Sequence, residues 1–303
     1  MDKVHAGGCL VYYDRKRSGR PENLRASGWA LLLLLICWSG PLTAGELCGG
    51  WVPAAGGGRL GFGEASGLAV SADGRTLWHV EDSGNKPRIL ATDRQGRETG
   101  RLKLKKSKNK DWEALGEGPC GKGRCLFVGD TGDNFRRRSS YSIYIVPLEG
   151  GALPGKVRPY RLRYTYSDGR SHNVEGLAVH PRTGRIWLFT KHESAAVFVL
   201  EAPDPASSGK AVARARGSLP VHTVTGADFH PDGGRLLLLN YTGAVEFVLS
   251  PGPGPVRILA RQSIALSLQP QQEAIAWADG GRSLVVSSEK KKNHLVWMRC
   301  ANP

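Results

Sequence analysis

The stretch "EGLAVHPRTGRIWLFTK", residues 175–191, decides the fold. It begins with Glu175, runs through a short apolar segment, and turns at His180–Pro181 and Gly184–Arg185. A second apolar segment follows and ends at Lys191. Two short apolar runs bounded by Pro and Gly read as antiparallel strands joined by a turn. Neither run is long enough, or spaced at 3.6 residues, to read as an amphipathic helix.

The same phrase recurs five times. Its openings are "EASGLAV", "EALGEGP", "EGLAVHP", "TGADFHP" and "EAIAWAD", beginning at Glu64, Glu113, Glu175, Thr225 and Glu273. The spacings are 49, 62, 50 and 48 residues. Each opening leads to a Gly-Arg turn and an apolar run: "GRTLWHVED", "GRCLFVGD", "GRIWLFTK", "GRLLLLNY" and "GRSLVVSS". Further strand-like runs follow in most units, as in "SYSIYIVPL" then "RPYRLRYTYS". Four antiparallel strands repeated about every 50 residues predict an all-β chain, a β-propeller. One such sheet cannot bury both faces alone, whereas a ring of them can. The reading is five blades, with six as the alternative, because the second unit is long enough to hide irregular strands.

The last unit is short. After "NHLVWMRC", residues 293–300, no fourth strand fits, while "CGGWVPAAGGGRL", residues 48–60, is unassigned at the other end. The expectation is that the N-terminal segment completes the last blade and closes the ring. The cysteines support it. Past residue 45 there are four: Cys48, Cys120, Cys125 and Cys300. "CGKGRC" makes Cys120–Cys125 a natural local bridge, which leaves Cys48 with Cys300. An even count in an exported chain favours disulfides. The competing reading is a metal site, but no second close Cys or His pair accompanies them.

Export is read from residues 1–45. "RKRSGRPENLR" is a basic segment, "WALLLLLICW" an apolar one, and "SGPLTAGE" supplies a break and small residues. The apolar run falls short of the about 18 residues of a membrane span, so it reads as a cleaved signal peptide, with an uncleaved anchor as the alternative. The expectation is a secreted or periplasmic monomer without a membrane span, with residues 46–303 forming one domain. Net charge is +15, of which residues 1–45 hold six Lys/Arg and three Asp/Glu, so +12 belongs to the rest. That balance favours an anionic small molecule or an envelope polyanion as partner. No basic helix or zinc-finger spacing points to sequence-specific nucleic-acid binding.

Against this basic background the carboxylates are placed unevenly. The start of the first strand and the end of the second lie at one end of an antiparallel pair. The starts supply Glu64, Glu113, Glu175, Thr225 and Glu273. The ends supply Glu81/Asp82, Asp130/Asp133, Lys191/His192/Glu193, Asn240 and Glu289. In a ring of blades these gather at one mouth of the channel. Crowded carboxylates repel unless a cation or a basic side chain balances them, and oxygen-only ligands suit Ca2+ or another hard divalent cation. "GDTGDN", residues 129–134, is the richest version of the place. Its plain reading is an Asp-rich turn, and a blade-start Glu can equally serve by bonding a neighbouring backbone. Arg136, Arg137 and Arg138 follow and are candidates for capturing phosphate or carboxylate. Glu175 and His192 are the candidates for a general base. "RLKLKKSKNK", residues 101–110, reads as an edge strand with a solvated face. Nucleophile elbow, HExxH and phosphate-loop motifs do not stand out.

"EGLAVHP", "GDTGDN" followed by Arg, "VTGADFHPDGGRLLLL" and "QEAIAWADGG" with its later "SSE" resemble a group of exported bacterial propellers related to the esterase-like phytase and SdiA-regulated families. The resemblance spans Glu64 to Glu289. It implies a divalent ion, commonly calcium, at a channel mouth. By position it implies Glu64, Glu113, Asp130, Asp133, Asn134, Glu175, Glu273 and Glu289 as the metal-binding set. Thr225 departs from the pattern, and Lys191 places a cation near the mouth. The function expected is binding or hydrolysis of an anionic small molecule, of phosphoester or lactone type. The alternative is a non-catalytic envelope binding or scaffold protein.

Overall fold

A computed structural model describes residues 3–6, 9–12, 46–148, 155–204, 208–252, 254–266, 270–290 and 293–301. A short hairpin, β1 (Lys3–Ala6) and β2 (Cys9–Tyr12), belongs to a unit separate from everything after residue 42. The rest of the expected leader, residues 1–45, lies outside the described residues.

The main unit is built almost wholly of antiparallel strands. After β3 (Trp51–Pro53) comes a first sheet of β4 (Ala65–Val70), β5 (Leu77–Glu81), β6 (Arg88–Thr92) and β7 (Glu98–Leu104). The second holds β8 (Trp112–Cys120), β9 (Gly123–Asp130) and β10 (Tyr141–Leu148). The chain then lends β11 (Lys156–Val157), parallel, to the edge of β7 and returns as β12 (Tyr160–Tyr166). The third sheet is β13 (Val174–Val179), β14 (Ile186–Thr190), β15 (Ala195–Leu200) and β16 (Gly209–Leu219), and β16 pairs in parallel with β12, so that the second and third run on as one eight-stranded ladder. The fourth is β17 (Gly226–Phe229), β18 (Arg235–Asn240), β19 (Gly243–Leu249) and β20 (Ile258–Ile264). The fifth is β21 (Gln272–Ala278), β22 (Ser283–Ser288) and β23 (Val296–Cys300), completed by β3. A 3₁₀ turn, Asp279–Gly281, is the one helical element among the described residues. The long spacing of the second unit is spent on the loop after β9 and the excursion through β11, with no sixth sheet among the described residues.

Successive sheets pack through their first strands in a cycle: β4 on β8, β8 on β13, β13 on β17, β17 on β21, and β21 back on β4. Five apolar cores lie between neighbouring sheets, from Trp78 against Trp112 to Trp297 against Leu68. Second strands are buried on both faces, as β5 and β22 show. Fourth strands alternate buried and exposed residues, as in β12. The difference is geometric, because sheets set around an axis are covered near it and diverge away from it.

The first strands approach closely, and small residues permit it. A Cβ on Gly67 would stand 2.8 Å from the Leu115 nitrogen, and one on Gly226 would stand 3.1 Å from Ala274 Cα. The ring closes as the sequence leads one to expect. β3 pairs with β23, and the Cys48–Cys300 disulfide joins the two ends. In the chain-entropy model a link closing so long a loop contributes roughly 4–5 kcal/mol. Cys120–Cys125 bridges the β8–β9 turn, also as expected.

The innermost hairpins share one irregularity. Pairing shifts between Ala65 and Gly67, Trp112 and Ala114, Val174 and Gly176, and Gln272 and Ala274. Each shift leaves one bulged residue, and bulges re-aim side chains. The bulged residues are Ser66, Glu113, Glu175 and Glu273, with Thr225 ahead of Gly226 in the fourth sheet. This corrects the sequence alignment of the first unit. Glu64 is not the counterpart of Glu113; Ser66 is, and Glu64 lies two residues earlier. Matching the letters "EA" misplaced it. The small residue after the bulge (Gly67, Ala114, Gly176, Gly226, Ala274) is the feature that aligns the units.

Candidate metal centre at the channel mouth

The five bulge positions surround a narrow cavity of about 10 Å3, lined by Ser66, Glu113, Glu175, Thr225 and Glu273, room for roughly one water. The two hydroxyls are spent on neighbouring sheets. Ser66 Oγ donates to the Trp112 carbonyl at 2.7 Å, and Thr225 Oγ1 donates to the Gln272 carbonyl at 2.9 Å. The three glutamates remain as the ionisable groups.

A second tier comes from the residue just past each second strand: Asp82, Thr131, Lys191, Tyr241 and Glu289. In four sheets its N–H donates to the carbonyl two residues before the bulge. The pairs are Asp82 to Glu64, Thr131 to Asp111, Lys191 to Asn173 and Glu289 to Gln271. These bonds hold a third tier, Glu64, Asp111, Asn173 and Gln271, beside the second.

The tiers divide the mouth into unlike halves. In one, Lys191 Nζ is 2.5 Å from Glu175 Oε2 and donates to Tyr241 Oη at 2.7 Å. Tyr241 Oη in turn donates to Glu273 Oε1 at 2.8 Å. Burial alone would lower the Lys191 pKa, but Glu175 and Glu273 beside it outweigh that and hold it raised. Burial pushes the Glu273 carboxyl up to about 8, with Lys191 working the other way.

In the other half, one carboxylate oxygen each from Asp82, Asp111 and Glu113 lie within 4.8 Å of one another. Asp82 Oδ1 accepts the Ser83 N–H, and no basic side chain bonds any of the three among the described residues. Burial is the first cause raising each pKa. Asp111 reaches about 6, helped by Asp82, and Glu113 stands well above the ordinary value, helped by Glu175 and Asp82. Glu289 is pushed up to about 7 by burial and then Asp82. Gly132 faces this cluster. A Cβ there would lie 2.5 Å from Asp111 Oδ2 and 2.7 Å from Glu113 Oε1. The donor set is oxygen only and compact, which fits a hard divalent cation such as Ca2+.

Of the residues singled out in the sequence, the mouth brings together Glu113, Glu175, Glu273 and Glu289. Glu64 stands at its rim, exposed, with Oε2 accepting Asn85 Nδ2 at 2.6 Å. The "GDTGDN" residues serve chiefly to hold their own loop. Asp133 Oδ1 accepts the Arg137 N–H at 2.9 Å, and Oδ2 accepts the Arg138 N–H and the Tyr141 hydroxyl, both at 2.8 Å. Burial works against ionisation here, but those backbone N–H donors hold its pKa below the usual range. Asp130 is buried beneath the loop with Arg138 Nη2 3.0 Å from Oδ1, and burial raises its pKa despite that cation. Asn134 is exposed and accepts Asn173 Nδ2 at 3.0 Å.

Arg138 folds back on this loop, donating to the Gly132 and Asp130 carbonyls. Arg136 and Arg137 are exposed. His192 is exposed too, and its Nδ1 accepts the Glu193 N–H. Glu175 Oε1 accepts Asn173 Nδ2 at 3.1 Å, so both its oxygens have partners. Asp111 escaped the sequence reading. Its signal was its place two residues before the bulge, the same place Glu64 holds in the first unit.

Beside the rim is a cavity of about 660 Å3 lined by Arg59, Leu60, Phe62, Glu64, Glu81 and Asn85. Its size is that of a small-molecule site, and it shares Glu64 with the mouth.

No protein-family model and no curated protein matches this chain. The likeness to the phytase-related propellers therefore rests on the quoted phrases. Among solved structures, the chain is similar to the hydrazine synthase of Kuenenia stuttgartiensis at 13% identity and a TM-score of 0.42, covering 80% of this chain and 59% of that one. It is also similar to a putative oxidoreductase (glucose dehydrogenase) from Thermus thermophilus. That match has 14% identity and a TM-score of 0.45, covering 82% of this chain and 99% of the other. Neither likeness bears on what this chain does.

Proposed function

We propose that this chain is an exported five-bladed β-propeller that holds a divalent cation, Ca2+ by its ligand chemistry, at Asp82, Asp111 and Glu113. The cation would be presented to an anionic small molecule entering through the cavity beside Glu64. The observation that carries the reading is the gathering of three carboxylates within 4.8 Å in the half of the mouth without an ammonium. Such crowding is unfavourable without a cation, and the Lys191 half shows how the same fold balances it with a side chain. Two bridged cysteine pairs suit an oxidising compartment.

A bound divalent ion would supply a Lewis acid for a phosphate or carbonyl oxygen, and the reaction proposed with it is hydrolysis of a phosphoester or lactone. The chain's own residues do the rest. Asn85 orients Glu64 at the rim, Gly132 leaves the ligand space open, and exposed Arg136 and Arg137 offer guanidinium groups to an anion.

The test is thermal melting with CaCl2 against EDTA. Calcium at about 100 times its Kd stabilises the native state by roughly 2.7 kcal/mol and raises the midpoint accordingly. Asp111→Asn with Glu113→Gln removes that shift. A wild-type melt that ignores calcium sinks the site. Turnover of p-nitrophenyl phosphate or a γ-lactone by wild type but not the double variant then separates hydrolysis from binding.

A further inference from the structure

We infer that the outer face formed by β12, β16 and β20 docks on an anionic lipid surface. The three strands read "YRLRYTY", "GKAVARARGSL" and "ILARQSI" and hold six Lys/Arg and no Asp/Glu. Their alternation turns the cations outward: Arg163, Lys210, Arg214 and Arg261 are exposed, while Leu162, Tyr164 and Ala213 are buried.

The face runs from β12 to β16 through backbone pairing and on to the segment just before β20. β12 and β16, the outer strands of neighbouring sheets, pair in parallel and set Arg163 opposite Lys210 and Thr165 opposite Val212. β16 reaches the start of β20 through the Val256 N–H donating to the Arg216 carbonyl at 2.7 Å and Arg216 Nη1 donating to the Gly254 carbonyl at 3.2 Å. The first sheet handles its outer strand differently, since there Arg101 bonds Glu98. Arg163, Lys210, Arg214 and Arg261 meet no carboxylate among the described residues.

Charge alone would suit any polyanion. The apolar residues decide for a lipid surface. Val212 is 49% exposed between Lys210 and Arg214, and Leu259 is 52% and Ile258 38% exposed on β20. A hydrated polymer leaves such side chains in water. A bilayer takes them into the headgroup boundary while anionic lipids meet the cations. These residues are separate from the channel mouth, so this inference stands or falls independently of the calcium site.

The experiment is co-sedimentation of the exported chain with vesicles of equal parts phosphatidylglycerol and phosphatidylcholine, against pure phosphatidylcholine and against soluble polyphosphate. Wild type is expected to sediment with the anionic vesicles only. Arg163→Glu with Lys210→Glu and Arg214→Glu lowers that partition at least about a hundredfold, each cation near the surface being worth roughly fivefold. Val212→Ser with Leu259→Ser lowers it several-fold and leaves polyphosphate binding unchanged. Polyphosphate binding without vesicle binding, or a serine pair that changes nothing, overturns the inference in favour of a soluble polyanion. Binding to neither overturns it outright.

Discussion

Two halves of one mouth start from the same bulged glutamate and end in different chemistry. Glu175 and Glu273 share Lys191 and Tyr241. Glu113 meets Asp82 and Asp111 instead. The bulge places a carboxylate near the axis in either case. What settles its role is the residue one step past the second strand, which is Lys in the third sheet and Asp in the first. A carboxylate's place in a ring is therefore not enough to make it a ligand. The charge that its own sheet and the neighbouring one set beside it decides.

The largest effect that would break this comparison is at Lys191. Lys191→Met leaves buried Glu175 without its partner, and removing one member of a buried pair costs about 3–5 kcal/mol. Urea unfolding at pH 8 measures it. A loss below about 1 kcal/mol would mean the pair is screened like a surface one, and the two halves would not differ.

Next comes pH. In EDTA, Glu273, Glu289 and Asp111 have folded pKa values of about 8, 7 and 6. Carboxyls with raised pKa values bind protons more tightly folded than unfolded, so their stabilisation is full at low pH. It is lost as pH climbs from the ordinary carboxylate range to about 8. The melting midpoint in EDTA is expected to fall from pH 5 to pH 8, and calcium to reduce that fall. A flat profile in EDTA would mean the carboxylates are already balanced.

Gly132→Ala tests the proposed cation site without removing any carboxylate. Its Cβ enters the space between Asp111 and Glu113. Calcium affinity, read by titration, should drop about tenfold or roughly 1.4 kcal/mol, with little change in the EDTA melt. Equal losses in both melts would make the glycine merely structural. The smallest effect belongs to Glu64→Gln at the exposed rim, within about 0.5 kcal/mol of wild type and with the calcium shift kept. Loss of that shift would bring Glu64 into the ligand set and redraw the boundary between the halves.

Much of this was written in the order of residues. Five recurrences of an apolar run, a Gly-Arg turn and a second apolar run determine the inner hairpins, because alternation and turn chemistry act over a few residues. The unpaired strand at each end and the four cysteines determine the closure through β3 and β23, because a missing strand is a countable defect. Tertiary structure alone decided the rest. The bulge that moved the first unit's register from Glu64 to Ser66 depends on how closely first strands approach, which no single strand records. Asp133 looks like a ligand in "GDTGDN", yet it holds the loop, because Arg137, Arg138 and Tyr141 turn back on it. Asp111 is an ordinary residue before a strand until the ring sets it against Asp82 from the neighbouring sheet. Backbone pattern is local and can be read along the chain. The charge meeting a carboxylate such as Glu113 comes in part from another sheet, where Asp82 lies tens of residues away, and that meeting exists only once the sheets have packed.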